Sequence, residues 1–254
     1  MTITFVKAFT DNYIWVLDGV RGKSALCVDP GDASPLVHHL ETHQLTLDAI
    51  LLTHHHLDHV GGAPELLKHY PKAKVYGPND ARIPVAVNPV SEPDELEIHD
   101  FRFRILNIPG HTSSHICFYE TNFGLLFCGD TLFSAGCGRI FDGSLELLHE
   151  SLLKIKALPD DTKIFCGHEY TKQNLRFAAI VEPDNLVIQQ YYQALEVKPN
   201  SPSLPSTIAL EKQINPFLRL AEPDVIKYAQ AQGCPHQDSL SVFRQLRRDK
   251  DGFQ

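Results

Sequence analysis

The sequence of 254 residues has neither a long apolar run nor a surplus of positive charge. Every apolar stretch is shorter than the roughly 20 residues of a membrane-spanning helix, so we expect no membrane partner. The formal net charge of −8 repels phosphate backbones, so we also expect no nucleic-acid partner. Asp11 and Asn12 interrupt the apolar N-terminal region, which therefore lacks the pattern of a signal peptide, and we expect a cytoplasmic protein.

Cysteine is scarce and is never spaced as in a zinc or redox motif. None of the six cysteines belongs to a Cys-x-x-Cys pair, which makes a cysteine-based zinc site the weaker alternative. Four of them lie in apolar, strand-like runs, where a free cysteine behaves as a small hydrophobic residue: Cys27, Cys117, Cys128 and Cys166. Without an export signal we expect these thiols to be reduced.

Glycine is almost absent from the last third of the chain. Thirteen of the 15 glycines lie at or before Gly167, and only Gly233 and Gly252 follow. We therefore predict two domains, residues 1–168 built from short strands and tight turns, and residues 169–254 built from helices. The hydrophobic content of 43% and the charged content of 21% are ordinary for a globular protein with a substantial core.

Hydrophobic periodicity and turn residues predict the individual elements of an α/β fold. The predicted strands are 3–9, 13–17, 25–28, 49–53, 74–76, 101–108, 115–119, 125–128 and 163–166. The predicted helices are 35–42, 63–69, 145–157, 171–180, 185–196, 206–213, 223–232 and 239–248. Ser144 is the expected N-cap of the third helix.

The most informative segment is Thr53–His59, which reads Thr-His-His-His-Leu-Asp-His. It follows the apolar run Ala49–Leu52, so it lies where a strand ends in a turn and where α/β enzymes place their chemistry. His54 and His56 are two residues apart, a spacing that puts both side chains on one side of an extended chain. We interpret the segment as a metal site, with an accidental histidine-rich tract as the alternative.

The end of this segment indicates two ions rather than one. Asp58 and His59 are adjacent, so their side chains point in different directions unless the backbone turns. One ion does not easily collect His54, His56, Asp58 and His59, whereas two neighbouring ions do. His55 alternates away from the ligand side, and we interpret it as a surface or supporting residue.

Four predicted strands end in the same way, with a metal-binding side chain directly after the apolar run. These side chains are His54, His111, Asp130 and His168, the last three each preceded by a glycine that lets the backbone turn. Taken singly, His111 is also consistent with a simple turn, and Asp130 and His168 with a turn or a helix cap. If these strand ends meet at one edge of a sheet, they bring together seven candidate ligands: His54, His56, Asp58, His59, His111, Asp130 and His168.

Five imidazoles and two carboxylates suit two divalent ions, with zinc as the expected metal and iron or manganese as alternatives. A natural partition gives His54, His56 and His111 to one ion. It gives Asp58, His59 and His168 to the other, with Asp130 shared. Two ions about 3.5–4 Å apart hold a water as hydroxide near neutral pH, which is the nucleophile of a hydrolase. Asp58 is the expected catalytic residue, orienting that hydroxide or collecting its proton. Asp29, which also ends a strand, is expected to accept a hydrogen bond from a ligand imidazole.

In this order, the opening strands, the His54-x-His56-x-Asp58-His59 segment, His111, Asp130 and His168 resemble the metallo-β-lactamase superfamily. The resemblance implies an αββα sandwich over roughly residues 1–168, with the metals at one edge, followed by a C-terminal helical domain. It does not name a substrate, because this fold hosts hydrolases, nucleases and oxidoreductases.

Four further segments resemble the glyoxalase II family, the hydroxyacylglutathione hydrolases: residues 136–143, 166–171, 215–219 and 243–251. This resemblance covers nearly the whole chain. It implies hydrolysis of S-(2-hydroxyacyl)glutathione thioesters, chiefly S-D-lactoylglutathione, to glutathione and D-lactate, the second step of methylglyoxal detoxification. The residues that match the family's glutathione contacts are Arg139, Phe141, Tyr170, Arg247 and Lys250. Phe141 has no hydroxyl group to donate, whereas Arg139 offers a cation.

Other interpretations of the same residues stay open at this point. The basic residues near Lys250 also complement the dipole of a helix C-terminus without any ligand. A lactonase, a β-lactamase, a phosphodiesterase or a mononuclear-iron sulfur dioxygenase would share the same core. A non-catalytic metal binder or redox sensor is the alternative outside the enzymes. Nothing in the sequence demands an oligomer, and we expect a monomer.

Overall fold

The computed structural model describes residues 2–18, 23–197 and 201–253, and these residues form two compact units. Unit 1 comprises the described residues of Met1–Asn107, Ser114–Gly129 and Phe165–His168. Unit 2 comprises those of Ile108–Ser113, Asp130–Ile164 and Glu169–Gln254. Each unit is assembled from separate stretches of chain, and the domain division at residues 168 and 169 stays a prediction.

The first sheet of unit 1 contains six strands in chain order. They are β1 (Thr2–Ala8), β2 (Asn12–Asp18), β3 (Ser24–Val28), β4 (Thr46–Leu51), β5 (Lys74–Gly77) and β6 (Asn88–Pro89). The pairs β1–β2 and β2–β3 are antiparallel, whereas β3 to β6 pair in parallel. Parallel neighbours need a crossover connection. Helix α1 (Ala33–Thr42) supplies it between β3 and β4, and α2 (Leu57–Val60) and α3 (Ala63–His69) supply it between β4 and β5.

The helices of unit 1 cover this sheet with a buried apolar layer. Leu36 and Leu40 of α1 and Leu66 of α3 are fully buried, in one cluster with Ile50 of β4 and Val75 of β5. Burial of such side chains stabilises each by about 1.5–3 kcal/mol relative to exposure. The turns that follow β3 and β4 therefore leave a rigid support.

The remaining strands are β7 (Glu95–Ile98), β8 (Phe101–Asn107), β9 (Ile116–Glu120), β10 (Leu125–Gly129), β11 (Leu132–Phe133), β12 (Gly136–Cys137), β13 (Lys163–Cys166) and β14 (Ser206–Thr207). The second sheet has the order β14-β13-β10-β9-β8-β7, and β11 and β12 form a separate hairpin. Within unit 1 the two sheets meet at Trp15 of β2. Its ring lies 4.9 Å from that of Phe165, and its Nε1 donates to the Cys166 carbonyl at 2.9 Å. The end of β13 is thereby fixed against the first sheet.

Unit 2 contains most of the helical part of the chain. Its helices are α4 (Leu145–Lys156), α5 (Thr171–Val181), α6 (Leu186–Val197), α7 (Ile208–Ile214), a short 3₁₀ turn (Pro216–Leu218), α8 (Pro223–Ala231) and α9 (Ser239–Asp251). Leu175, Ile188 and Ile214 from α5, α6 and α7 are buried in one apolar cluster. In the described part of the chain, every helix falls short of the length or apolar character that crossing a bilayer requires.

The predicted strands and helices are confirmed, with shifted ends, and Ser144 caps α4 by accepting from the Leu147 amide at 3.1 Å. One segment is wrong: Ser206 and Thr207, predicted as helix, form β14 on the Lys163–Ile164 edge. Helix α7 begins only after Thr207, whose side chain caps it. The short strands β6, β7, β11 and β12 are not predicted, because segments of two to four residues carry little periodicity.

Candidate metal centre

The histidine segment of unit 1 changes from extended chain to helix at His56. His56 has extended backbone angles (φ −60°, ψ 140°) and is the N-cap of α2, so the backbone turns just before Asp58 and His59. The ring of His54 lies 4.7 Å from that of His56 and 4.2 Å from that of His59. The turn that the ligand spacing requires is present, and it keeps all three imidazoles together.

Asp58, His59 and His168 form a compact group of donors within unit 1. The Nε2 atoms of His59 and His168 are 3.3 Å apart, and Asp58 Oδ2 lies 3.5 and 3.4 Å from them. Their three ligand atoms lie within 4.8 Å of one another. A carboxylate and two imidazoles are ligands that zinc, iron and manganese accept, so this donor set fits a divalent cation.

Carboxylates on the far side of the rings orient these imidazoles. Nδ1 of His59 donates to Asp29 Oδ2 at 3.0 Å, as predicted, and Nδ1 of His168 donates to Asp11 Oδ1 at 2.8 Å. Asp29 is itself held by Thr53, whose amide and hydroxyl donate to it at 2.8 and 2.7 Å. Such partners fix the tautomer in which Nε2 would bind a cation.

Three residues of this centre are missing from the sequence prediction. Asn12 Nδ2 donates to Asp58 Oδ2 at 3.0 Å, and the ring of His115 stacks on His54 with centroids 4.5 Å apart and planes 15° apart. Asp11 is the third. The sequence signal was two polar residues, Asp11 and Asn12, in an apolar N-terminal region. His115 is a second histidine four residues after His111.

Unit 2 carries the other two predicted ligands, His111 and Asp130. Both are buried, and His111 Nε2 lies 3.7 Å from Asp130 Oδ2. Nδ1 of His111 donates to the Arg139 carbonyl at 2.7 Å, which directs Nε2 towards Asp130. A Cβ atom at Gly138 would lie only 2.0 Å from the Asp130 carbonyl oxygen, so this close approach requires glycine.

The hairpin of β11 and β12, which follows Asp130, is fixed by a buried carboxylate. Glu211 accepts from the Ser134 hydroxyl at 2.7 Å, from the Ala135 amide at 2.8 Å and from Asn215 Nδ2 at 3.0 Å. Burial raises the pKa of Glu211, and its hydrogen bonds oppose that effect. These contacts fix the chain just after Asp130, which limits how far this predicted ligand can move.

The predicted substrate-binding residues all belong to unit 2, but they differ in exposure. Phe141 is 66% exposed, with its ring 5.1 Å from that of His111. The ring of Tyr170 packs edge-on against Phe133 at 5.1 Å. The Arg139 side chain is exposed. Phe141 and Arg139 are therefore accessible beside the predicted ligand His111.

Arg247 and Lys250, by contrast, are buried. Arg247 is 3% exposed, and its Nη1 donates to the carbonyl oxygens of Cys137 at 2.9 Å and Gly138 at 3.3 Å. Its Nη2 donates to Asp251 at 2.9 Å. Burial, followed by repulsion from Arg247 and Arg139, lowers the pKa of Lys250 to about 8. Arg247 therefore supports the chain that leads to Arg139, and its contact with substrate stays a prediction.

Known protein families match nearly the whole chain. Residues 9–168 match the family model described as the metallo-beta-lactamase superfamily, and residues 169–253 match that described as the hydroxyacylglutathione hydrolase C-terminus. The chain is 52% identical to the hydroxyacylglutathione hydrolase of Legionella pneumophila (strain Corby) and 46% identical to hydroxyacylglutathione hydrolase 2 of Vibrio vulnificus (strain YJ016). Both alignments cover 100% of each chain.

Solved structures with the same fold include two that are not named hydroxyacylglutathione hydrolase. The BLEG-1 B3 metallo-beta-lactamase superposes with a TM-score of 0.65 at 26% identity, covering 85% of this chain and 99% of that one. ETHE1 from Myxococcus xanthus superposes with a TM-score of 0.66 at 22% identity, covering 100% of both chains. The predicted metallo-β-lactamase fold with a C-terminal helical region is thereby confirmed.

Replacing Asp29 by asparagine tests whether this carboxylate supports the predicted ligand His59. The Asp29→Asn change keeps the size of the side chain but removes the charge that holds Nδ1 of His59, so we expect metal affinity to fall about 10- to 100-fold. The measurement is competition for Zn²⁺ with a chelator. Asp48→Asn is the matched control, because Asp48 contacts His99 at 2.8 Å at the surface. Equal affinity in the two variants would contradict the role given to Asp29.

Proposed function

Because the chain belongs to the hydroxyacylglutathione hydrolase family of the metallo-beta-lactamase superfamily, we propose that it hydrolyses S-(2-hydroxyacyl)glutathione thioesters. The chief substrate is S-D-lactoylglutathione, and the products are glutathione and D-lactate, as in methylglyoxal detoxification. The observation that carries the proposal is that the likeness extends through residues 169–253, which match the family model described as the hydroxyacylglutathione hydrolase C-terminus.

The proposed metal ligands are His54, His56 and His111 for one ion, Asp58, His59 and His168 for the other, and Asp130 for both. Support comes from each unit by itself: Asp58, His59 and His168 converge in unit 1, and His111 faces Asp130 in unit 2. Zinc fits this set of donors, as do iron and manganese. When bound, two divalent ions supply polarisation of the thioester carbonyl and activation of a water molecule.

The protein's own groups position the reactants and move the proton. Asp58 is the proposed catalytic residue, since its carboxylate lies beside two ligand imidazoles and is held by Asn12, where it can orient the attacking water and accept its proton. Asp11 and Asp29 keep His168 and His59 in the tautomer that binds an ion. The leaving thiol has an ordinary pKa near 8.5, so it departs as thiolate without a strong general acid.

The cations and aromatic rings of unit 2 are proposed to bind the glutathione part of the substrate. Exposed Arg139 and largely buried Lys250 offer charge for its carboxylates, and exposed Phe141 and half-buried Tyr170 offer apolar surface. Arg247 contributes by holding the Cys137–Gly138 backbone beside them. All proposed groups come from one chain, so the enzyme is proposed to act as a monomer. Its proposed location is the cytoplasm.

Substitution of the shared ligand tests this function. We expect the zinc-loaded protein to hydrolyse S-D-lactoylglutathione and not a lactone, a β-lactam or a phosphodiester, with two ions per chain by elemental analysis. Asp130→Ala should lose at least one ion and at least about 100-fold in kcat/KM, because it removes a ligand of both ions. Asp160→Ala, which alters an exposed carboxylate of the same unit, is the control. Two retained ions with full turnover in Asp130→Ala would refute the shared role.

The lowered pKa of Lys250 predicts a pH dependence of substrate binding. The ammonium form binds carboxylate; it is present below the pKa of about 8 and is lost as the pH rises through that value. We therefore expect KM for S-D-lactoylglutathione to rise up to about tenfold between pH 7 and 9, the size of one charge-assisted hydrogen bond.

The control variant is Lys250→Arg, which stays charged over this range and should show a flat KM after subtraction of uncatalysed hydrolysis. A KM that rises equally in Lys250→Arg and in the unchanged protein would show that another group titrates.

A further inference from the structure

Two large apolar side chains are exposed beside the ligand segment of unit 1. Phe9 is 62% exposed and Leu57 is 72% exposed. Leu57 lies between His56 and Asp58 in the chain. Phe9 lies in the turn after β1, two residues before Asp11. Both therefore flank proposed metal ligands or their supporting carboxylate, although neither has a part in the mechanism given above.

The packing around Gly31 places the Phe9 ring close to the backbone of Asp58, the residue after Leu57. A Cβ atom at Gly31 would lie 1.9 Å from the Asp58 carbonyl oxygen and 3.0 Å from the Phe9 ring. A Cβ atom at Gly61 would lie 2.6 Å from the Leu57 carbonyl oxygen and 3.0 Å from that of Gly31. The Phe9 ring and the Asp58 carbonyl group thus both lie against Gly31, and Asp58 directly follows Leu57 in the chain.

The backbone at Phe9 gives no reason for an aromatic ring there. Its φ of 50° is in the left-handed region, which glycine adopts freely and a bulky side chain adopts with strain. Strained residues of this kind concentrate at functional sites. Glycine would form this turn without strain, which indicates that the aromatic ring of Phe9 has a role besides forming the turn.

We infer that Phe9 and Leu57 form an apolar lip that contacts the acyl substituent of the thioester and sets the preference for its size. The inference rests on the proposed function. In that function the cations of unit 2 bind glutathione and the metal ligands surround the carbonyl group. The acyl substituent is the part of the substrate that has no partner yet, and it is attached to the carbon attacked beside Asp58.

Apolar surface buried on binding determines the expected preference. A phenyl group, as in S-D-mandeloylglutathione, presents far more apolar area to the lip than the methyl group of the lactoyl substrate. Contacts in apolar pockets commonly discriminate about 10- to 200-fold for a single methylene group, and a half-exposed lip is expected at the low end.

The experiment compares kcat and KM for S-D-lactoylglutathione and S-D-mandeloylglutathione in Phe9→Gly, Leu57→Ala and the zinc-loaded parent protein. We expect each variant to lose about tenfold in kcat/KM for the mandeloyl ester relative to the lactoyl ester, mainly through KM. Phe123→Ala is the matched control, because Phe123 is 51% exposed in the turn between β9 and β10 of the same unit. Its ratio should not change.

Thermal unfolding separates a substrate role from a structural one. Phe9→Gly should keep the Tm of the parent protein or raise it by about 2 °C, because glycine adopts the φ of 50° without strain. An unchanged ester ratio in both variants, with hydrolysis of both esters intact, would overturn the lip and leave the proposed function standing. Failure of the parent protein to hydrolyse either ester would overturn both. If Phe9→Gly unfolds, the ratio in Leu57→Ala decides the same question.

Discussion

Imidazole nitrogens and carboxylate oxygens converge in unit 1 to distances at which a cation stabilises them, and the supporting contacts of this region keep that arrangement in place. The Nε2 atoms of His59 and His168 face each other at 3.3 Å beside the Asp58 carboxylate. Behind each ring a further carboxylate, Asp29 or Asp11, accepts the Nδ1 proton. A chain of acid, imidazole and ion of this kind makes each ligand more basic and fixes its direction.

Burial of the strands explains the positions of the proposed ligands that directly follow them. A strand buried on both faces has a fixed position in the fold. The first residues after it are therefore held in place, although they lie outside the packed core. In unit 2 the equivalent support is polar: Glu211 and Asn215 hold the hairpin after Asp130, and Arg247 holds the backbone before Arg139. A buried carbonyl or amide group left without a hydrogen bond there would lower the free energy of unfolding by about 1–3 kcal/mol. These hydrogen bonds are therefore strongly favoured in the folded chain.

The candidate ligands were predicted from local signals: a metal-binding side chain directly after an apolar strand, or membership of the Thr53–His59 segment. The sequence prediction missed Asn12 and His115 because their roles depend on contacts made only in the folded chain: Asn12 meets Asp58 across 46 positions. The burial of Arg247 is likewise invisible, since its partners at Cys137 and Gly138 lie more than 100 positions away. Strand β14 was not predicted for the same reason, because only its pairing with β13 makes Ser206 and Thr207 a strand.

Electron paramagnetic resonance of the protein loaded with two equivalents of Mn²⁺ tests whether side chains of one chain hold two neighbouring ions that share Asp130. Two such ions lie about 3.5–4 Å apart, so we expect the spectrum of a spin-coupled pair and its loss in Asp130→Ala. A spectrum of isolated Mn²⁺ in the unchanged, fully loaded protein would show that the two ions do not share a ligand.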